Sequence, residues 1–291
     1  LKGERVGVIV VTYNSMGYVE ELMDSMMAAD NIPLSILLID NGSADGSGEW
    51  INEYAIDNYS QGDHWVVGCV FEENTGFTNA VNEGLRFFSY QKDVRHIALV
   101  NPDIILCEGW LSNQLSIFTE HDNCGIIGCR QVRGAEIVHA GGMIRRDPIP
   151  LYENIMREVA PGIVAERMEN ICYSRFIHRM GHVSDDSWNV TETVPWVTFA
   201  CALLKKDMVE EIGPLDSRFF NYCSDAEYCC RAWRYGWEVW YTASATVYHH
   251  VGSSEKSGGQ SVIDRKIADF RLFAQEEDGY GAANRARRNL I

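Results

Sequence analysis

No apolar run in this 291-residue chain approaches the roughly 20 residues that cross a bilayer as a helix. Its opening, LKGERVGVIVV, is a charged lead into a strand and lacks a small-residue cleavage site, so neither a membrane span nor a secretory leader is expected. Nine cysteines are present and no pair has C-x-x-C spacing, which argues against a disulfide framework. Cys69, Cys107 and Cys201 lie in apolar stretches and are expected to be free, buried thiols of a reducing compartment. A cytoplasmic chain is therefore expected, with the inner face of a membrane as its place of peripheral association. Positive charge is scarce: the formal net charge is −16, which argues against a nucleic-acid or anionic-membrane binder, the RARR near the C-terminus notwithstanding. No internal repeat is visible.

What the chain does contain is an alternation of buried strands and amphipathic helices. VGVIVV (6–11), LSILLI (34–39), WVVGCVF (65–71) and HIALV (96–100) are continuous apolar runs of the kind buried on both faces of a parallel sheet. Between them Val19, Leu22, Met23 and Met26, and then Phe77, Ala80, Val81, Leu85 and Phe88, recur as helix faces. The pattern predicts an α/β fold with a Rossmann-like, mostly parallel, doubly wound sheet flanked by helices. Ligands of such sheets bind beyond the carboxyl ends of the strands. TYN, DNGS, NTGF and NPD each follow a strand, so they should converge on one edge. G-x-G-x-x-G is missing from the first turn, which excludes a nicotinamide or flavin site there.

The second half is less regular. GIIGC (125–129) predicts a short strand and HAGGMI (139–144) a turn into another, while 145–193 loses the pattern and is expected to be an insertion or lid. Order returns with WVTFACALL (196–204), a helix start at KKDMVEEIG, a helix over DAEYCCRAWRYG (225–236), and EVWYT with ATVYHH. A loop and a helix around Ile263 to Gln275 close the chain. The expected division is 1–106 as one half, 107–254 as a smaller second half, and 255–291 as a C-terminal loop and helix.

Several polar residues admit two readings. Asp40 is either an Asx turn or a carboxylate that receives a nucleobase or ribose. Thr12, Tyr13 and Asn14 either cap the first helix or meet a nucleotide at the strand-to-helix turn. Asp103, with Asn101, ends a strand that Pro102 interrupts, where it could give one oxygen to a divalent cation carried by a diphosphate. Asp225 and Glu227 are either helix N-terminal charges or include a general base. Trp196, Trp233, Trp237 and Trp240 are core residues, or one of them is a sugar-stacking platform. His178 and His182 have i, i+4 spacing but a glycine between them and no carboxylate in a metalloprotease position, so a metal pair is not expected there.

In order, VIVVTYNS, LLIDNGSADGS, ENTGFTNAVNEGL, LVNPDI, EEIGPLDSRFF, SDAEYCCRAWRYGW and VYHHVGSS make the chain resemble the family 2 glycosyltransferases of GT-A fold, rhamnosyltransferase-like branch, over roughly residues 5–254. The resemblance implies that Thr12, Tyr13, Asn14 and Asp40 hold the base and ribose, and that Asn74, Gly76 and Asn79 line the donor pocket. Asn101 to Asp103 replace the family's D-x-D motif, with Asp103 as the carboxylate for Mn²⁺ or Mg²⁺. His249 matches the family's histidine, a metal or diphosphate contact, with His250 as the alternate. Asp225 is the implied base. Ser224, Glu227 and Phe199 depart from the family's pattern; with Trp196 they are assigned to the acceptor side. The implied donor is a nucleoside-diphosphate sugar, UDP- or dTDP-linked, and the acceptor is a glycan, lipid-linked or other hydroxyl. Inverting transfer is the leading expectation. A retaining transferase on the same fold, and a catalytically silent sugar-nucleotide-binding or scaffold protein, stay open.

Overall fold

The computed structural model describes residues 5–61, 63–139, 189–250 and 261–273 except 263. In chain order its elements are β1 (Arg5–Thr12), α1 (Val19–Ala29), β2 (Leu34–Asp40), α2 (Ser47–Asp57), β3 (Ser60–Gln61), β4 (His64–Val70), α3 (Phe77–Ser89), β5 (Val94–Val100), β6 (Ile104–Leu106) and α4 (Ser112–Glu120). There follow β7 (Cys124–Arg133), β8 (Glu136–His139), β9 (Thr191–Thr193), β10 (Cys201–Lys205), α5 (Lys206–Ile212), α6 (Ser224–Tyr235) and β11 (Glu238–His249). A last helix, α7, covers 264–273.

One sheet runs β3-β4-β2-β1-β5-β10-β7-β11-β6, with β8 on β7 and β9 on β11. β4, β2, β1 and β5 are parallel neighbours. The chain leaves β1 toward β2 on one side and later returns to β5 on the other, which opens a crevice at the strand ends. β10 runs antiparallel to both β5 and β7, so strands from the two expected halves share one sheet.

Both faces of the sheet are covered, which is why its central strands carry no polar alternation. On one face Ile9, Ile97 and Leu99 pack with Val81, Leu85 and Phe88 of α3 and Tyr228 and Ala232 of α6. On the other, Val8, Val10 and Ala98 pack with Leu22 and Met23 of α1, Ile51 of α2 and Phe118 of α4. α4 has no counterpart in the periodicity reading, because Leu115, Ile117 and Phe118 are too few to set a period in nine residues.

Three sequence expectations are corrected. Cys69 is exposed and Cys107 half-buried, because β4 stands near the sheet edge and Cys107 beyond the short β6; Cys201 is buried. WVTFACALL becomes a strand only from Cys201, and 196–200 instead crosses the sheet's carboxyl edge. EVWYT and ATVYHH form a single strand whose register on β7 shifts between Thr242 and Thr246. Residues 140–144 of the predicted turn and strand, most of the 145–193 segment, and His178 with His182 lie outside the described residues.

Candidate active site

The first strand ends are joined side by side. Thr12 is paired in register with Asp40, and its hydroxyl donates to Asp40 Oδ1 at 2.9 Å. Asp40 also accepts the Ser43 N–H at 2.9 Å and the Ser43 hydroxyl at 2.5 Å. The Ser43 oxygen in turn accepts the Asn14 N–H at 2.8 Å, and Asn14 Oδ1 accepts the Ala44 N–H at 2.9 Å. Asn14 therefore bridges the two loops from a left-handed backbone, φ 51°, which asparagine tolerates better than most residues. Asp40 is 1% exposed, so its carboxylate is the hub of an Asx turn and stiffens the loop from within. Tyr13, at 45% exposure, is the member of this group that offers a free face to a ligand.

The third strand end joins the second through amides. Asn41 Oδ1 accepts the N–H and hydroxyl of Thr75 at 3.0 and 3.1 Å, and its amide donates to Asn74 Oδ1 at 3.2 Å. Asn74 Oδ1 also accepts the Gly76 N–H, and Asn79 donates to the Thr75 carbonyl, both at 2.9 Å. Asn74 and Asn79 thus shape the 74–76 loop through its backbone. Gly42 and Gly76 are required here: both have positive φ, and a Cβ would stand 2.6 Å from the Glu73 carbonyl carbon and the Phe220 oxygen respectively. Gly76→Ala is expected to cost about 1–3 kcal/mol in left-handed strain alone and to displace the 220 loop. Thermal unfolding with a nucleotide-affinity measurement checks it, both falling together.

The fourth end explains why a strand is broken at Asn101-Pro102-Asp103. β5 stops at Val100, and the chain re-emerges as β6 to pair with β11 instead of β1. The Asn101 N–H donates to the Ala200 carbonyl at 2.7 Å. Pairing of Ile104 with His249 sets that histidine beside Asp103, with Nε2 3.5 Å from Oδ1. Both are buried, and His249 Nδ1 lies 2.8 Å from Oε1 of buried Gln131. The Gln131 oxygen can only accept, so Nδ1 donates to it and the ring is held with Nε2 toward Asp103. His250 instead is exposed, packs on Tyr18, and approaches Glu21 at 3.6 Å.

Asp103 and His249 pass a simple test for a divalent cation. Two ligands at adjacent corners of an octahedral ion stand about 3 Å apart, so a small movement admits one between Oδ1 and Nε2. Gln131 would supply the outer-shell hydrogen bond that orients a metal-binding histidine. Among the described residues no group of three or more His, Cys, Asp or Glu side chains could hold a metal, so the remaining positions fall to ligand oxygens and water.

Asp225 lies in the first turn of α6, which begins after Cys223 in a left-handed conformation, φ 61°. Burial pushes its carboxyl up to about 6, against the lowering pull of the Ala226 and Phe199 N–H groups and the Thr198 hydroxyl. The Ala226 N–H donates to Oδ1 at 2.8 Å. Segment 198–200 therefore touches Asp225 at one end and Asn101 at the other, bringing the carboxylate to the strand-end edge of the sheet.

The expected acceptor residues do not line this opening. Phe199 is 2% exposed and its ring meets Tyr228 edge-on at 5.9 Å, so it fills the core and contributes only backbone to the site. Trp196 is likewise in the core, the cost of leaving so large an apolar surface wet being greater than any local polarity could offset. Ser224 is buried and donates to the Asn221 carbonyl. Glu227 is 3% exposed and forms a two-point pair with Arg231, at 3.1 and 2.5 Å, with Arg234 at 3.7 Å. These four residues were expected on the acceptor side; here Phe199 and Trp196 pack in the core, Ser224 is engaged by Asn221, and Glu227 by Arg231 and Arg234. Sequence reading missed Thr198, Gln131 and Asp269. A lone glutamine in CGIIGCRQVR and a lone aspartate in IADFRLF were the available signals, each a polar residue on an otherwise apolar face.

Residues 7–181, more than half the chain, match the family model described as Glycosyl transferase family 2. The chain belongs to that family. This glycosyltransferase is 23% identical over 257 residues to the N-acetylglucosaminyl-diphospho-decaprenol L-rhamnosyltransferase of Mycobacterium tuberculosis, covering 85% of this chain and 76% of the relative. It resembles, at a TM-score of 0.57 and 17% identity, the mannosyltransferase PcManGT from Pyrobaculum calidifontis solved with GDP-Man and Mn²⁺, covering 86% of this chain and 57% of that one. It also resembles S. aureus TarS 1-349 in complex with UDP-GlcNAc, at a TM-score of 0.52 and 15% identity, covering 87% and 61%. The chain thus spans about six-tenths of these solved chains. Its fold is GT-A, and the rhamnosyltransferase-like resemblance is upheld.

Proposed function

We propose that this family 2 glycosyltransferase is inverting and metal-assisted, moving a hexose or deoxyhexose from a nucleoside-diphosphate donor to an acceptor hydroxyl with Asp225 as general base. The observation that carries it is a carboxylate pushed up to about 6 and tied through 198–200 to the Asn101–Asp103 strand end. A base of that strength is ionised at neutral pH yet still takes a proton readily. The acceptor oxygen attacks the anomeric carbon while its proton passes to Asp225, and the bond from that carbon to the diphosphate oxygen breaks.

Tyr13 would cover the base of the donor, and the Thr12–Asp40–Ser43 and Asn41–Asn74–Gly76 networks would hold the loops that surround ribose and diphosphate. A divalent cation, Mn²⁺ or Mg²⁺, would neutralise charge on the departing diphosphate. Asp103 and His249 would hold it, with Gln131 keeping His249 in the correct tautomer. The relatives' names support the chemistry: a rhamnosyltransferase named for a diphospho-decaprenol substrate, and folds solved with GDP-Man, UDP-GlcNAc and Mn²⁺. On that reading a lipid-linked acceptor brings this chain to the cytoplasmic face of a membrane in polysaccharide biosynthesis, as a peripheral protein. No helix among the described residues is long and apolar enough to cross one.

Thermal unfolding with UDP-, dTDP- and GDP-sugars, with and without Mn²⁺ or Mg²⁺, tests the donor site. A matched donor at about 100 times its Kd should add roughly 2.7 kcal/mol. The cation-dependent part of that gain should vanish in Asp103→Asn while the cation-independent part survives. Product anomeric configuration, read by NMR, settles the stereochemistry: retention overturns the inverting reading. Absence of nucleotide release with every donor and acceptor points to a silent binder.

A further inference from the structure

The C-terminal helix α7 reaches the site through a carboxylate that the reaction scheme above does not use. Asp269 is 3% exposed, and both of its oxygens are occupied by consecutive backbone donors. Oδ1 accepts the Phe220 N–H at 2.9 Å, while Oδ2 accepts those of Asn221 at 2.9 Å and Tyr222 at 2.8 Å. Three successive N–H groups converging on one anion form a charge-assisted nest, and without the anion they would be left unpaired at the loop's inner side. From the same helix, the Arg265 guanidinium sits 4.1 Å from the Phe220 ring centroid and the Lys266 ammonium 4.6 Å from that of Tyr222.

The loop so held touches both halves of the chemistry. The Phe220 carbonyl fills the space above Gly76 and accepts the Thr78 N–H at 3.4 Å, so it abuts the donor loop. Downstream, Cys223 turns through its left-handed conformation directly into the Asp225 helix. We propose that Asp269 is a positioning residue for glycosyl transfer, fixing the 220–222 backbone so that the Asp225 carboxylate and the donor loop face each other. This rests on the assignment of Asp225 as the base.

Docking α7 does not itself require a carboxylate. Phe270 and Phe273 are already buried on the same helix, and burial raises the Asp269 pKa against the lowering effect of its three backbone donors. A group that resists burial, placed where apolar neighbours suffice for packing, has the loop amides as its purpose.

Full-chain Asp269→Asn, with Asp269→Glu as the conservative partner, decides the matter through four readings: unfolding midpoint, amide hydrogen exchange at 220–222, kcat with donor KM, and the pH profile of kcat/KM. The asparagine amide cannot accept from three donors. Its variant should exchange faster at 220–222 and lose about 100-fold in kcat, the cost of a small misplacement of catalytic groups. Donor KM should stay within about threefold. The acid limb should move down from near 6 toward the ordinary carboxylate range as water reaches Asp225, and Asp269→Glu should recover part of each loss. A lower midpoint with unchanged kcat and acid limb makes Asp269 a structural anchor and overturns the proposal. If the wild-type chain has no acid limb that Asp225→Asn removes, the base assignment fails instead. Faster exchange with lost turnover then still upholds Asp269 as a positioning residue, and unchanged exchange overturns it. Should Asp269→Asn not fold, the same readings on Asp269→Glu decide.

Discussion

Asp225→Asn is expected to lower turnover by about 10²–10⁴-fold while nucleotide-sugar affinity stays at the wild-type value. The amide keeps the size of the carboxyl and can still accept the Ala226 N–H, so the first turn of α6 should hold. What it loses is the capacity to take a proton. The same group sets the pH dependence. Because burial raises its pKa to about 6, the reactive, ionised form is present above that value and is lost as pH falls through it. Wild-type kcat/KM should therefore drop roughly tenfold per pH unit below about 6, and the residual activity of the variant should lack that limb. Steady-state kinetics between pH 5 and 8, with isothermal titration of the donor, checks both. Near-normal turnover in the variant rules out Asp225 as the base.

Glu227→Ala is expected to act on stability rather than on acceptor recognition. Its carboxylate is almost fully enclosed, and Arg231 reaches it from one helical turn away while also donating to the Ile212 and Pro214 carbonyls. Truncation would leave a partly buried guanidinium without its counter-ion, a change that costs about 3–5 kcal/mol. For a chain of this size that lowers the unfolding midpoint by roughly 5–8 °C. Replacing both partners by methionine should recover much of the loss, since an apolar pair of similar volume removes the uncompensated charge. A variant of unchanged stability with a raised acceptor KM would return Glu227 to the acceptor site. Chemical and thermal denaturation of the single and double variants separates the two outcomes.

The contrast between Asp225 and Glu227 shows where sequence reading reaches its limit. They are two residues apart in SDAEYCCRAW, both acidic, both in the first turn of a helix, and local chemistry treats them alike. Only packing separates them. Two positions along a helix are about 200° apart around its axis, so one carboxylate meets the 198–199 segment while the other turns toward Arg231 and Arg234. The aromatic candidates are placed for a related reason. Phe199 and Trp196 fall in a segment whose composition suits either a core or a sugar platform, and the choice depends on Tyr228 and neighbours far away in the chain.

The parallel strands, their order of appearance and the gathering of TYN, DNGS, NTGF and NPD at one edge were legible in the sequence. A strand buried on both faces must be apolar throughout, and polarity can resume only where it ends. The interruption at Asn101-Pro102-Asp103 was legible in the same way, as a strand leaving its sheet. Its consequence was not. That Asp103 meets His249, that Gln131 stands behind that histidine, and that Asp269 grips the loop ahead of Asp225 depend on β11 pairing with β6 and β7 and on α7 folding back over residues 220–222. These contacts join residues more than 40 positions apart. Periodicity and turn chemistry act over one or two turns of chain, so only the tertiary structure decides which distant polar groups satisfy one another.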